Sequence, residues 1–181
     1  SWIIVAGLAL QVFAPTTGIA NNALASMGLQ RVHFMDEKTN WVVTYVFLGV
    51  WKNIGWNTII YLAAITGINP ELYEAAAIDG AGRMRRIWHV TLPGIRSTIV
   101  VLLIISLGYI LGSEFDRPYT LGNAKVNMVS SVIATFVYNY GIRALQFSLT
   151  TAVGLFQSVV CVAFLLVSDR LAKKFGDRGI V

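Results

Sequence analysis

"NPELYEAAAIDGAGRMRRIWHVTLPG", residues 69–94, is a polar, charge-bearing stretch set between two apolar ones. Asn69 suits an N-cap and Pro70 the first helical position, which predicts a short helix starting there. Glu71 and Glu74 fall in its early turns, where carboxylates complement the positive end of the helix dipole. Ala75, Ala76 and Ala77 favour helix and leave almost no side chain, so another protein's surface could approach closely. Asp79-Gly80 predicts the stop, because glycine tolerates the left-handed geometry that closes many helices. A second short helix, roughly 82–90, is expected to carry Arg83, Arg85 and Arg86 before Thr91-Leu92-Pro93 launches the next apolar segment. The stretch reads as a helix–turn–helix elbow.

The segments on either side explain why the chain needs one. Of 181 residues, 56% are hydrophobic and 13% charged, whereas soluble domains run at about 25% charged. Mean hydropathy is +0.66. Residues 39–51 and 53–70 are uncharged and separated only by Lys52; residues 97–113 and 144–168 are uncharged throughout. A spanning helix needs roughly 20 mostly apolar residues, so 41–68 and 145–168 are long enough and 95–113 is just sufficient. The opening "SWIIVAGLALQVFAP" is apolar up to Pro15, without the initiating Met and basic leader of a signal peptide. It is expected to be a membrane helix cut short at its start. The fold class is therefore all-α integral membrane, with about four membrane helices. Residues 1–181 form one transmembrane domain, expected to be truncated at its N-terminus.

Charge sets the expected orientation. The net charge is +5, but the basic residues are dispersed over loops with no soluble domain to present them, which excludes a nucleic-acid partner. Residues 69–95 and the tail 169–181 hold Arg83, Arg85, Arg86, Arg170, Lys173, Lys174 and Arg178. The longer stretches 15–40 and 114–144 hold Arg31, Lys38, Arg117, Lys125 and Arg143. The denser side is cytoplasmic by the positive-inside rule, so the C-terminus is expected inside. If "SSVIATFVYNYGI", residues 130–142, crossed the membrane, the basic tail would end outside. It is read instead as a short interfacial or re-entrant helix within an external loop, 114–144, which needs protein or water over its ends. Cys161, the single cysteine, can form no internal disulfide.

Two clusters of polar side chains stand out against the apolar segments. Lys52 lies near the middle of 41–68, where an ammonium costs ~2.5–3.5 kcal/mol on insertion scales. Asn53 and Asn57 share a face at four-residue spacing, with Trp56 adjacent and Gly55 as a potential kink point. This reads either as the polar, aromatic lining of a solute path or, for Lys52, as a side chain snorkelling to the interface. Glu114 and Asp116, beside Arg117 and Pro118, fall where the next helix leaves the membrane. They suit an outer gate or contact with an extracytoplasmic protein, and equally a solvated loop. His33 and His89 stand alone, without the spacing of a metal or catalytic site. On physics alone the elbow itself has two readings: a connector whose arginines bind anionic headgroups, or a docking surface for a cytoplasmic partner.

Glu74-Ala75-Ala76, three residues, Gly80, nine residues and Val90-Thr91-Leu92-Pro93 resemble the EAA loop of binding-protein-dependent ABC importer permeases. Val90 stands where that pattern usually has Ile. "AAAIDGAGRMRRIWHVTLPGI" is similar to the sugar-importer branch. "WKNIGWNTIIYLAAITGI" and "FSLTTAVGLFQSVV" resemble permeases for oligosaccharides released from complex polysaccharides.

The resemblance implies that residues 69–94 are a cytoplasmic coupling loop for a separate ATP-binding subunit. Glu74 would be its polar anchor. Ala75 and Ala76 would permit close approach, Gly80 would make the turn, and Leu92 and Pro93 would fix the exit. The partners implied are a second permease subunit, two ATP-binding subunits, an extracytoplasmic solute-binding protein and membrane lipid. The location implied is the inner or plasma membrane. No cofactor is expected in this chain, which lacks a P-loop signature; ATP and Mg would belong to the ATPase. The function implied is oligosaccharide import by alternating access, without enzymatic activity of its own. Another solute class, or a self-contained channel or secondary carrier, is the alternative.

Overall fold

The computed structural model describes residues 1–111 and 114–174. Every regular element among them is helical. Two compact units emerge: Ser1–Lys52 with Gly112–Ser158, and Asn53–Leu111 with Val159–Val181. Positions 177 and 178 of the expected cytoplasmic tail lie outside the described residues.

The first unit is assembled around α1, Trp2–Val12. Its buried residues Trp2, Ala6 and Ala9 recur at helical spacing and form one stripe. Small side chains at two of those positions let α8, Asp116–Leu121, pack against it. Leu121 and Val126 are almost wholly buried in the same core as Met35, Trp41 and Leu48. Trp41 and Leu48 belong to α3, Lys38–Thr66, which enters this unit with its first half. The Trp41 indole N–H donates to the Leu121 carbonyl at 2.8 Å, satisfying a buried donor.

Hydrogen bonds from asparagines secure the loops. Asn21, fully buried in α2 (Ile19–Ser26), donates to the carbonyls of Ala14 and Val32 and accepts from the Val32 N–H. Asn123 donates to the Met35 carbonyl at 2.8 Å, and Lys125 pairs with Asp36 at 2.7 Å.

The second unit contains the elbow: α4 (Pro70–Ile78), α5 (Arg83–Arg86), a π-helical turn π1 (Ile87–Thr91) and α6 (Leu92–Gly94). The expected start and stop of α4 are both present. The expected second helix, 82–90, is different: it runs on through π1 to Gly94, so Leu92-Pro93 lies inside it. A proline within an α-helix clashes with the carbonyl four residues back and lacks a donor. Opening the backbone to wider π spacing accommodates both, and the Leu92 N–H reaches the Ile87 carbonyl.

The chain then bends by 63° into α7, Arg96–Leu111. The described part of α7 has 16 residues, or ~24 Å, against a ~30 Å hydrocarbon core. The sequence-based span 95–113 corresponds to α7, its last two positions lying outside the described residues.

α3 is unbroken across 29 residues, including Gly55, a length of ~43 Å. Its asparagines and Lys52 dilute its apolarity. Among the described residues, the single unbroken helix both long and apolar enough to cross a membrane is Phe147–Arg170, within α11, Phe147–Lys174. The stretch expected to be interfacial or re-entrant forms only short pieces: α9 (Asn127–Ser130), α10 (Ile133–Val137) and a second π turn, π2 (Tyr138–Arg143). None is long enough to span.

Candidate functional site

The elbow is built to hold its shape with little of itself buried. Asn69 caps α4 by accepting from the Glu71 N–H at 3.1 Å. At the other end the Gly80 N–H donates to the Ala77 carbonyl and the Ala81 N–H to the Ala76 carbonyl. With Gly80 at φ +71°, this is the paired closure that satisfies a helix's last carbonyls. Arg86 Nε donates to the Ala81 carbonyl at 2.8 Å and fixes the start of α5. The Tyr73 and Thr91 hydroxyls, 3.0 Å apart, tie the two arms together. Gly94 packs so closely on Ile68 that a Cβ there would lie 2.7 Å from Ile68 Cδ1, so the arms also meet at their base.

What remains outside is a surface. No residue from 69 to 94 is buried. Glu74 and Ala75 are exposed on α4, and Ala76 is half-buried. Leu92 is half-buried and Pro93 exposed. Ile78 is 87% exposed, with Leu72, Met84 and Trp88 also exposed. Ile78 was not singled out from sequence. Its place four residues after Glu74, just before the glycine turn, was the available signal. An exposed carboxylate beside small side chains and a projecting isoleucine offers a charge to pair and apolar area to cover.

The candidate path residues fall in different places. In the second unit, Asn53 and Trp56 are exposed, while Asn57 lines a cleft of about 260 Å³ with Tyr61, Ile99, Leu102, Leu103 and Ser106. Asn57, Tyr61 and Ser106 give it a polar margin on apolar walls. The Ser106 hydroxyl is engaged with the Leu102 carbonyl at 2.7 Å. Tyr61 and Ser106 were missed from sequence, because nothing in the linear pattern pairs α3 with α7.

Lys52, Glu114 and Asp116 belong to the first unit. The Lys52 ammonium lies 4.1 Å from the centre of the Trp2 ring, a cation–π contact that neither the path nor the snorkelling reading foresaw. Glu114 pairs with Arg117 at 3.3 Å. Asp116 stands exposed in the first turn of α8, where its charge suits the dipole.

Arg117, noted in sequence as a neighbour of these carboxylates and as one of the basic residues of 114–144, is the centre of this arrangement. Its side chain is 12% exposed. The guanidinium stacks 3.6 Å from the Tyr45 ring centre, lies 4.8 Å from that of Trp2 and donates to the Tyr45 carbonyl. Tyr45 itself stacks on Trp41. Gly49 makes the space: a Cβ there would lie 2.7 Å from Arg117 Cζ. Two cations and one tryptophan thus join α1, α3 and α8.

Comparison with known proteins completes the description. The profile of the family described as binding-protein-dependent transport system inner membrane component matches residues 1–177. The chain is 43% identical over 180 residues to the polygalacturonan/rhamnogalacturonan transport system permease protein YteP of Bacillus subtilis, covering 99% of this chain and 56% of that protein. It is 40% identical to Protein LplB of the same organism, covering 99% and 57%. In structure it is similar to a chain of the bacterial alginate ABC transporter in complex with an alginate pentasaccharide-bound periplasmic protein. There the TM-score is 0.96 at 38% identity, over 99% of this chain and 62% of that one. The chain therefore spans rather more than half the length of these relatives.

Proposed function

Because the chain belongs to the binding-protein-dependent transport system inner membrane component family, we propose that it serves as a transmembrane subunit of an ATP-driven oligosaccharide importer. The observation that carries this reading is the elbow: a capped, cross-tied pair of short helices that presents Glu74, Ala75 and Ile78 outward with none of its residues buried. A permanent connector has no need to expose so much apolar surface, whereas a joint between a membrane domain and a motor does. A separate ATP-binding subunit would receive α4, with Glu74 against basic groups. Closure of two such subunits on ATP would move the elbows, and the rigid tie from α4 through π1 to α7 would pass that motion into the membrane. The other proposed partners are a second permease subunit and an extracytoplasmic solute-binding protein. The relatives' named substrates, polygalacturonan, rhamnogalacturonan and alginate, favour an oligosaccharide over other solutes. In vesicles, uptake should require ATP and stop when the ATPase chain is omitted; uptake driven by an ion gradient alone would assign a secondary carrier instead.

Orientation follows from the same reading. Residues 69–95 and the C-terminal tail would be cytoplasmic, and 15–40 with 114–144 external. A cysteine at position 36 should react with an impermeant maleimide added outside, and one at position 177 should not. Outside labelling at 177 would reverse the placement of the tail.

For the path, Asn57→Leu should cut uptake several-fold by making the polar margin of its cleft apolar, and Asn53→Leu should act in the same direction. The assembled complex and its basal ATP hydrolysis should persist. Undiminished uptake in both variants would return these side chains to helix packing.

A further inference from the structure

A second polar cleft lies wholly within the first unit, apart from the residues assigned above. It measures about 170 Å³ and is lined by Tyr119, Asn127, Ser130, Asn139 and Arg143 among others. Its geometry comes from an unusual backbone. π2 places Asn139 and Arg143 on the cleft, and the turn after it carries Leu145 at φ +56°, a conformation costly for a non-glycine residue. Gly141 lets π2 press against α11, since a Cβ there would lie 2.9 Å from Thr150 Oγ1. π turns and strained residues cluster where side chains must be aimed.

The lining has bonding capacity to spare. Among the described residues, Arg143 has no carboxylate partner and only a distant contact, 5.8 Å from the Tyr138 ring centre. Ser130 is 5% exposed and lies at the cleft. The side chains of Ser130, Asn127 and Asn139 have no hydrogen-bond partner within the described chain. One wall is aromatic: Tyr119 stacks on Phe115 and meets Tyr138 edge-on. The neighbouring Tyr138 hydroxyl raises the Tyr119 phenol above its ordinary value, and an un-ionised phenol does not repel an anion.

A tyrosine at the wall, two amides, a hydroxyl and a guanidinium without a carboxylate partner together fit a polyhydroxylated ring bearing a carboxylate. The geometry points to this cleft as a binding site for one acidic sugar unit of an oligosaccharide, with Arg143 on the carboxylate and Asn127, Asn139 and Ser130 on the hydroxyls. The biological setting rests on the importer reading; the binding does not.

The test uses the assembled complex in detergent, without ATP and without the solute-binding protein. Binding of trigalacturonate and of neutral maltotriose is measured by calorimetry. Wild type should prefer the acidic trisaccharide. Arg143→Gln should weaken trigalacturonate about tenfold or more while Arg143→Lys retains part of the preference. Asn139→Asp, which sets a like charge opposite the ligand, should weaken it as well and serves if Arg143→Gln does not assemble. Equal binding of both sugars by wild type, or full affinity for trigalacturonate in Arg143→Gln and Asn139→Asp, overturns the site. ATP-dependent uptake measured on the same preparations reports separately on the importer reading, which can stand or fall without this result.

Discussion

Glu74→Ala is expected to leave the chain folded and inserted but without the proposed ATP-binding partner. Glu74 has no ion-pair partner among the described residues, and α4 owes its shape to Asn69, Gly80 and Tyr73, so the elbow loses nothing internal. A docked carboxylate is different, because its removal strands a buried basic group on the partner. Such a loss costs about 2–5 kcal/mol of interface free energy, some 30-fold or more in affinity. Co-purification of the ATPase should fall accordingly, and hydrolysis should cease to respond to solute.

Gly80→Leu should damage the same joint by another route. Its φ of +71° is about 1–2 kcal/mol unfavourable for residues with a Cβ, although among the described residues nothing beyond its chain neighbours stands within 4 Å of that Cβ. Asparagine tolerates that geometry, so Gly80→Asn should be milder than Gly80→Leu. A headgroup-binding loop predicts the opposite for Glu74: its loss would leave the arginines to the lipid and harm nothing.

Arg117→Leu should produce the largest loss of stability in the first unit. The guanidinium makes two aromatic contacts of ~0.5–2 kcal/mol each and a charged hydrogen bond of ~1.5–3 kcal/mol to the Tyr45 carbonyl. Together they are worth on the order of 3 kcal/mol or more. Gly49→Leu should act in the same direction, because the new side chain would push the guanidinium away from Tyr45, Trp2 and Glu114. The two lesions share one cause, so combining them should cost clearly less than their sum. The midpoint of thermal aggregation of the detergent-solubilised complex reports this. Strict additivity would mean that Gly49 and Arg117 act independently.

The elbow was legible because its signals are local. An N-cap, a proline at the first helical position and a glycine closure each act within a few residues, and all three operate as expected. The second arm was misjudged because Pro93 was taken as a boundary; the backbone instead absorbs it by widening into π1, a tertiary compromise without a sequence signature. α11 was legible from apolar length and α3 from length alone, since Lys52 and the asparagines dilute its apolarity. Arg117 escaped for a different reason. Its partners Trp2, Tyr45 and Gly49 are 68 to 115 positions away, and no periodicity links them. The same holds for Asn57 with Ser106 and for the cleft under π2. Contacts between helices depend on packing that one-dimensional pattern does not encode.

Site-specific cross-linking tests the proposed coupling role of the elbow most directly. A cysteine is placed at Ala75, exposed on α4 beside Glu74, and treated with a short bifunctional maleimide in membranes that contain the assembled, transport-active complex. The expected product joins this chain to the ATP-binding subunit, and ATP should change its yield as the motor closes. Free reaction of that cysteine with a water-soluble maleimide from the cytoplasmic side, with no such product in a complex that still transports, would contradict docking through this loop.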